Sequence, residues 1–469
     1  MKKLSIALLA LVALSWTAAA GEVGDQLRAL ATKVDALEAK ACPVCPVPEQ
    51  PAPEPEQPST SNPFDALYPS GFALPALAAD AIPTMAKPSG KASSFTTPTY
   101  IDPVYKTRVY RATQASDGSG THVLHEYSRR QAWNSGNTRY VAQASNGYWF
   151  VYDASTFKPL RQLSGPAGDA EVIWSSSDPR RLLYTGMNGQ GGVWYWLDVE
   201  TNTRTTAFSL AGKAPYPSAK SFWTKAEGTT SADGRYLALM AETYNSNGSV
   251  TFYGVLTVDV TTGAVVGSRA SSQRPDHVSI SPSGRWAVIS GDGSEGTIAC
   301  PRTFDSPCKK LHTKSEHSDL AYGPNREDFY VYTDYTTGQI VAKNIDSGAS
   351  FNLTSLYPAS GSAYAAHISG QAYEKPGWVA ITSYGDYGSY GSASPDPKLQ
   401  PQYRKVFLAE LKPGGRLLSV AHTRQAGTGY FDEPQATVSR DLSRIMWHTN
   451  LGAGVSDSVM VGLPSSVTR

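Results

Sequence analysis

The sequence predicts an all-β fold: a seven-bladed β-propeller preceded by a short coiled-coil helix and a Pro-rich linker. Three observations carry this reading. From about residue 100 the chain consists of short alternating or apolar runs separated by Gly, Asp, Ser and Asn turns, with almost no helical periodicity. A unit recurs in which a strand, a Ser-x-Asp-Gly-type turn, an apolar second strand and a third strand with Asp and a Thr-Gly-like turn follow one another. The composition fits, with 41 glycines, 26 tyrosines, 10 tryptophans and only 17 % charged residues, the balance of a turn-rich extracellular β protein.

The N-terminal elements come first. Residues 1–20 read MKKLSIALLALVALSWTAAA, two lysines, an apolar run and a small-residue cleavage site, the layout of a secretory signal. The expected location is therefore outside the cytoplasm: periplasmic, cell-surface or secreted. No later segment approaches the roughly 18 consecutive apolar residues of a membrane span. Val23, Leu27, Leu30, Val34 and Leu37 alternate spacings of four and three, a short coiled-coil seam. The helix expected over 21–45 ends at Cys42 and Cys45. Disulfides between chains at these thiols would make residues 22–45 a homo-oligomerisation stalk; an intrachain or mixed disulfide is the alternative. Residues 46–97 open with PVPEQPAPEPEQP and read as an extended linker. The propeller is expected over 98–469.

The clearest repeats are HVSISPSGRWAVIS from His277, TTSADGRYLALMAE from Thr229 and WSSSDPRRLLYTG from Trp174. Looser copies start at Ala132, Asp319, Gln371 and Gln435. Seven units of about forty to sixty residues match four-stranded blades. VYKTRVYRAT, residues 104–113, precedes the first unit and is expected to complete the last blade.

In a propeller the first strand of every blade lines the central channel, so equivalent positions of different repeats converge. The segments expected at the entrances to these strands, just before the inner-strand turn, are HEYSRR (125–130), DAEVIW (169–174), TKAEG (224–228), PDHV (275–278), EHSD (316–319), AAHISG (365–370) and DEPQ (432–435). They contain His125, His277, His317 and His367, four of eight histidines. Histidine exchanges protons near neutral pH and is the commonest metal ligand. It also serves as a buried network residue that only holds a blade together, and both readings stay open here. Arg129 and Arg130 point to opposite faces of an extended chain, so at most one serves the channel directly. Tyr384 and Tyr387, in SYGDYGSYGSASPDP, are candidates for stacking on sugar rings or for a packed surface loop. Glu433, Gln435 and Asn450 complete the candidate substrate contacts. Cys300 and Cys308 suggest a disulfide, or zinc ligands together with His312. Lysine plus arginine total 41 against 40 acidic residues, so no global field recruits nucleic acid.

TYIDPVYKTRVYRAT, HEYSRRQAWN, HVSISPSGRW, EHSDLAY, HISGQAYEKPGWV and DEPQATVSRDLSRIMWHTNLG together resemble the secreted seven-bladed propellers related to oligogalacturonate lyases and ulvan lyases, over about residues 98–464. The resemblance implies β-elimination on a uronate-containing polysaccharide or oligosaccharide. That chemistry needs a cation against the carboxylate, a base for the C5 proton and an acid for the leaving oxygen. On this reading His125 and Tyr127 are the base and acid, and Arg129 or Arg130 clamps the carboxylate. His277, His317 and His367 bind substrate or one divalent metal ion (Mn, Ca or Zn), and no organic cofactor is expected. One departure stands out: oligogalacturonate lyases place a glutamine with nearby histidines at the last-blade entrance, whereas Ala436, Thr437 and Val438 follow Gln435 here. The rival from another class is a non-catalytic binding or scaffold propeller oligomerised by its stalk.

Overall fold

The computed structural model describes residues 62–468 apart from 358–362, 390–391, 394–399, 427–428 and 453, with the side chains of 363, 386–389 and 392–393 also outside the description. The signal, the coiled-coil helix, Cys42, Cys45 and the proline run all lie outside the described residues.

The described residues form seven antiparallel sheets of four or five strands. In sequence order their inner strands are Val123–Leu124, Val172–Trp174, Ser221–Trp223, His277–Ile280, Ser318–Tyr322, Ala363–Ser369 and Thr437–Val438. These begin blades 1 to 7. No helix among the described residues is long and apolar enough to cross a membrane.

The repeats follow from local hydrogen bonding. Asp153, Asp198, Asp259 and Asp334 each turn a carboxylate oxygen back onto backbone N–H groups two and three residues ahead, the Asx turn that closes the outer hairpin. The other turn uses Ser231 with Asp233 and Ser439 with Asp441. Gly234 occupies the left-handed region at φ +76° there, where a side chain would be strained. Between the turns the strands bury apolar faces against neighbouring blades. One such layer joins Ala380, Val406 and Leu408 of blade 6 to Ile445, Trp447 and Val459 of blade 7.

The ring closes as expected. Arg108–Arg111 pairs antiparallel with Asp457–Gly462, Tyr110 opposite Met460, so both ends of the domain build blade 7. The domain begins earlier than residue 98, however. Residues 62–97, expected as linker, are a strap packed on the blades. Phe64 is fully buried among Phe95, Tyr110 and Phe157, and a side chain at Gly462 would run into the Phe64 ring. Tyr68 Oη donates to Gly462 O at 2.6 Å, and Leu77 N donates to Leu417 O at 2.8 Å. Asp80 accepts from Tyr105 Oη at 2.7 Å and lies 2.7 Å from His422 Nε2. Cys300 and Cys308 are joined in a disulfide, which removes both thiols from the zinc alternative.

Candidate functional site

The blade 1 segment 125–131 does not precede its inner strand. Val123 pairs with Ala144 on one side of it, and Trp133 bridges Tyr140 on the other, so the segment is an excursion that interrupts the strand and enters the channel. TKAEG likewise follows the inner strand of blade 3. These two excursions build most of the site.

Arg129 reaches across to three other blades. Its Nη1 lies 2.8 Å from Glu227 Oε2 of blade 3 and also meets His277 Nε2 of blade 4. Its Nη2 donates to Ser318 Oγ at 3.2 Å and Glu316 O at 3.3 Å at blade 5. A planar fork with five donors suits this four-way contact. Arg130 points the other way, as alternation requires. It is held by Thr224 Oγ1, Ala226 O, Glu126 and Glu171 at 3.2–3.4 Å, so Arg129 is the one that serves the channel.

His277, Asp276 and Glu227 form a cluster whose potential ligand atoms all lie within 4.8 Å of one another. Asp276 is held well below the usual carboxylate range by its hydrogen bond to His277, against burial, and by Lys225, 2.7 Å away. Burial pushes Glu227 upward, yet Arg129 and His277 outweigh it and keep it low. Two carboxylates and one imidazole suit a divalent ion. Arg129 and Lys225 already balance the two negative charges. Of the three histidines expected as metal ligands, only His277 joins this cluster.

His317 and His367 stack on each other with centroids 4.6 Å apart, and Tyr384 stacks on His367 at 4.6 Å. Tyr127 meets His367 edge-on at 5.4 Å. His317 Nδ1 lies 3.0 Å from Ala366 O. A carbonyl only accepts, so Nδ1 carries the proton and Nε2 keeps its lone pair, with no hydrogen bond to Nε2 among the described residues. Burial and then Arg129 lower the His317 pKa, which leaves the ring neutral at neutral pH. Tyr127 is raised well above 10 by burial and by Glu227, so its phenol stays protonated. Glu433 lies 3.5 Å from His367 Nε2 and is pushed up to about 7 by burial.

The other expected residues fall elsewhere. His125 is 2 % exposed; its Nε2 lies 2.8 Å from Gln435 O and its Nδ1 3.2 Å from Ser458 Oγ. Both nitrogens are used, and burial drives its pKa down to about 4, so it stitches blade 1 to blade 7. His448 packs against it at a tilt, with ring centroids 4.1 Å apart, and donates from Nε2 to His125 O at 2.9 Å. Gln435 is buried in a left-handed conformation, φ 46°, with Nε2 3.4 Å from Tyr430 O. Asn450 caps the loop at Ala426, a local structural contact. Tyr387 pairs through its backbone with Ala363, and its side chain lies outside the described residues. Glu227 and Asp276 were not among the expected site residues. Both sit in the quoted channel segments, next to glycine or histidine, and that adjacency was the available signal.

No protein-family model matches the chain, and no curated protein matches it. Among solved structures it is similar to an oligogalacturonate lyase from Vibrio parahaemolyticus, with TM-score 0.54, 12 % identity, and coverage of 78 % of this chain and 96 % of that one. It is also similar to an oligogalacturonate lyase in complex with manganese, with TM-score 0.54, 14 % identity, and coverage of 79 % and 96 %. At this identity the likeness is one of fold: the chain shares the seven-bladed architecture of oligogalacturonate lyases.

Proposed function

We propose that the protein is an exported carbohydrate-active propeller that cleaves a uronate-containing polysaccharide by β-elimination. One observation carries the reading: a neutral imidazole with a free nitrogen (His317), a protonated phenol (Tyr127) and a guanidinium (Arg129) surround one channel mouth. The Cys300–Cys308 disulfide and the leader-like N-terminus support an oxidising, extracytoplasmic location.

The uronate carboxylate replaces Glu227, whose side chain is 27 % exposed, on Arg129. Neutralising that carboxylate acidifies the C5 proton. His317 Nε2 removes it, the C5–H electrons form the C4=C5 double bond, and the C4–O bond breaks toward the leaving oxygen. Tyr127 Oη supplies the proton that the leaving oxygen takes. His367 and Tyr384, stacked beside His317, hold its ring in place. The base is therefore His317 rather than His125, because His125 has no free nitrogen. A divalent ion held by Glu227, Asp276 and His277 would add positive charge against the same carboxylate.

The test is the ultraviolet absorbance of the unsaturated uronate product, followed while the full chain is incubated with a panel of uronate polysaccharides. Wild-type turnover that is lost in His317→Gln, with the variant's circular dichroism unchanged, supports the reading. Loss of turnover with a chelator and its return with Mn²⁺ assigns a role to the metal; indifference leaves Arg129 and Lys225 as the cations.

A second reading has its own observation: both terminal nitrogens of Arg129 are fully hydrogen-bonded within the protein. On that reading the channel residues are structural, and the propeller is a non-catalytic binding module or scaffold. Retention of a uronate polymer without any product absorbance selects it.

A further inference from the structure

Beside the His125–His448 pair lies a cavity of about 370 Å³ between blades 7, 1 and 2, within the usual size range of small-ligand sites, about 300–1,000 Å³. The two sites share a wall. Glu126 lines the cavity, and the next residue, Tyr127, stands edge-on to His367 in the channel site.

One lip of the cavity is aromatic and open to solvent. Tyr430 is 57 % and Phe431 53 % exposed, and their rings meet edge to face at 5.4 Å. His122 packs on Phe431 with centroids 4.4 Å apart, which fixes the ledge. Two large exposed aromatics side by side at a cavity mouth are unusual on a folded surface and mark a contact site. Their flat faces match the C–H face of a pyranose ring.

The charges select among sugars. Among the described residues no lysine or arginine lines this cavity, whereas Glu126 and Asp169 do. Asp169 would repel a second uronate carboxylate but accepts hydrogen bonds from sugar hydroxyls. Asn146 and Ser145 add amide and hydroxyl groups at the same rim. Burial, with Glu171 and Asp169 adding to it against Arg130, pushes Glu126 up to about 8, so it offers a proton to a hydroxyl rather than a charge to a cation.

We propose that this cavity is a subsite for an uncharged sugar, next to the uronate on Arg129, so that the substrate is a heteropolysaccharide of uronate and neutral units rather than a polymer of uronates alone. The inference rests on the β-elimination reading above. It assigns Phe431, Tyr430 and His122 as the stacking platform and Asp169 as the hydroxyl acceptor. No repeat register brings these residues together, because Tyr430 and Phe431 sit in a short 3-10 turn, Tyr430–Asp432, ahead of the blade 7 inner strand and His122 precedes the inner strand of blade 1.

The experiment compares elimination rates of the full chain on alternating polymers (hyaluronan, unsulfated chondroitin) and on homouronates (polygalacturonate, alginate), with wild type, Phe431→Ala and Tyr430→Ala. Alternating polymers are expected to be the better substrates, and each variant to raise KM on them roughly tenfold, the scale of one lost aromatic contact. Both side chains are exposed, so the variants test contact rather than folding, and unchanged thermal unfolding confirms that. Homouronates cleaved as fast as alternating polymers, or an unchanged KM in both variants, overturn the subsite while leaving the lyase reading intact. No product from any polymer overturns the lyase reading and the subsite with it.

Discussion

Two histidine pairs, one tilted and one stacked, sit in one channel, and they do different work. His125 and His448 lie 4.1 Å apart, His317 and His367 4.6 Å. All four are neutralised by burial. The difference is a single nitrogen. In the first pair His125 spends both ring nitrogens on blade 7, so its chemistry is exhausted in holding the ring closed. In the second, a backbone carbonyl fixes the tautomer of His317 and leaves Nε2 toward the channel. Residue type is the same, but His317 alone of the four is only half-buried, and hydrogen-bond accounting together with that access separates stitch from site.

The sharpest way to break this comparison is to exchange the two losses. His317→Gln is expected to lower the elimination rate by about 10²–10⁴, the usual worth of a general base, with thermal stability near wild type. His125→Ala is expected to do the reverse: it strands Gln435 O and Ser458 Oγ in a buried seam and costs about 1–3 kcal/mol of stability, with the rate per folded molecule largely kept. Unfolding midpoints and initial rates on the same preparations check both. If His125→Ala abolishes turnover in a folded protein and His317→Gln does not, the roles are reversed.

Next in size is Arg129→Lys. The charge survives, but one ammonium cannot satisfy Glu227, His277, Ser318 and Glu316 O together. A fall of about 10–100-fold in kcat/KM is expected from the lost two-pronged clamp. Equal activity would remove Arg129 from carboxylate binding and shift that task to Lys225 or a metal.

The same contrast explains what the sequence disclosed. The propeller was legible because its turns are local: an aspartate accepting from N–H groups two and three residues ahead leaves the same mark in every repeat. The channel histidines were legible for that reason, since blade register places them. Their partners were not. His125 is bonded to residues more than 300 positions away, and Arg129 selects Glu227 and His277 across the channel axis, which no spacing encodes. The strap was misjudged because a proline run, residues 46–58, precedes it, while Phe64, Leu74 and Leu77 are buried or packed at spacings that match neither helix nor strand. HEYSRR looked like the approach to a strand because an excursion within a strand and a loop before one have the same composition.

The smallest expected effect is a pH dependence that sets the histidine seam against the buried acids. His125 falls from 6.5 to about 4. Below pH 6.5 the unfolded chain therefore binds more protons than the folded one, and stability is lost as pH drops toward 4. Glu126 runs the other way, raised from 4.5 to about 8. Between these values the folded state holds a proton that the unfolded state has released, so stability falls as pH rises through that window. Glu126→Gln keeps the shape and removes the ionisation. Its unfolding free energy should lie close to wild type near pH 5 and exceed it above pH 8, by about 1 kcal/mol or more. Parallel curves for the two proteins from pH 5 to 9 would mean that Glu126 ionises normally, and the cavity wall it shares with Tyr127 would then carry a charge that favours a cationic rather than an uncharged ligand.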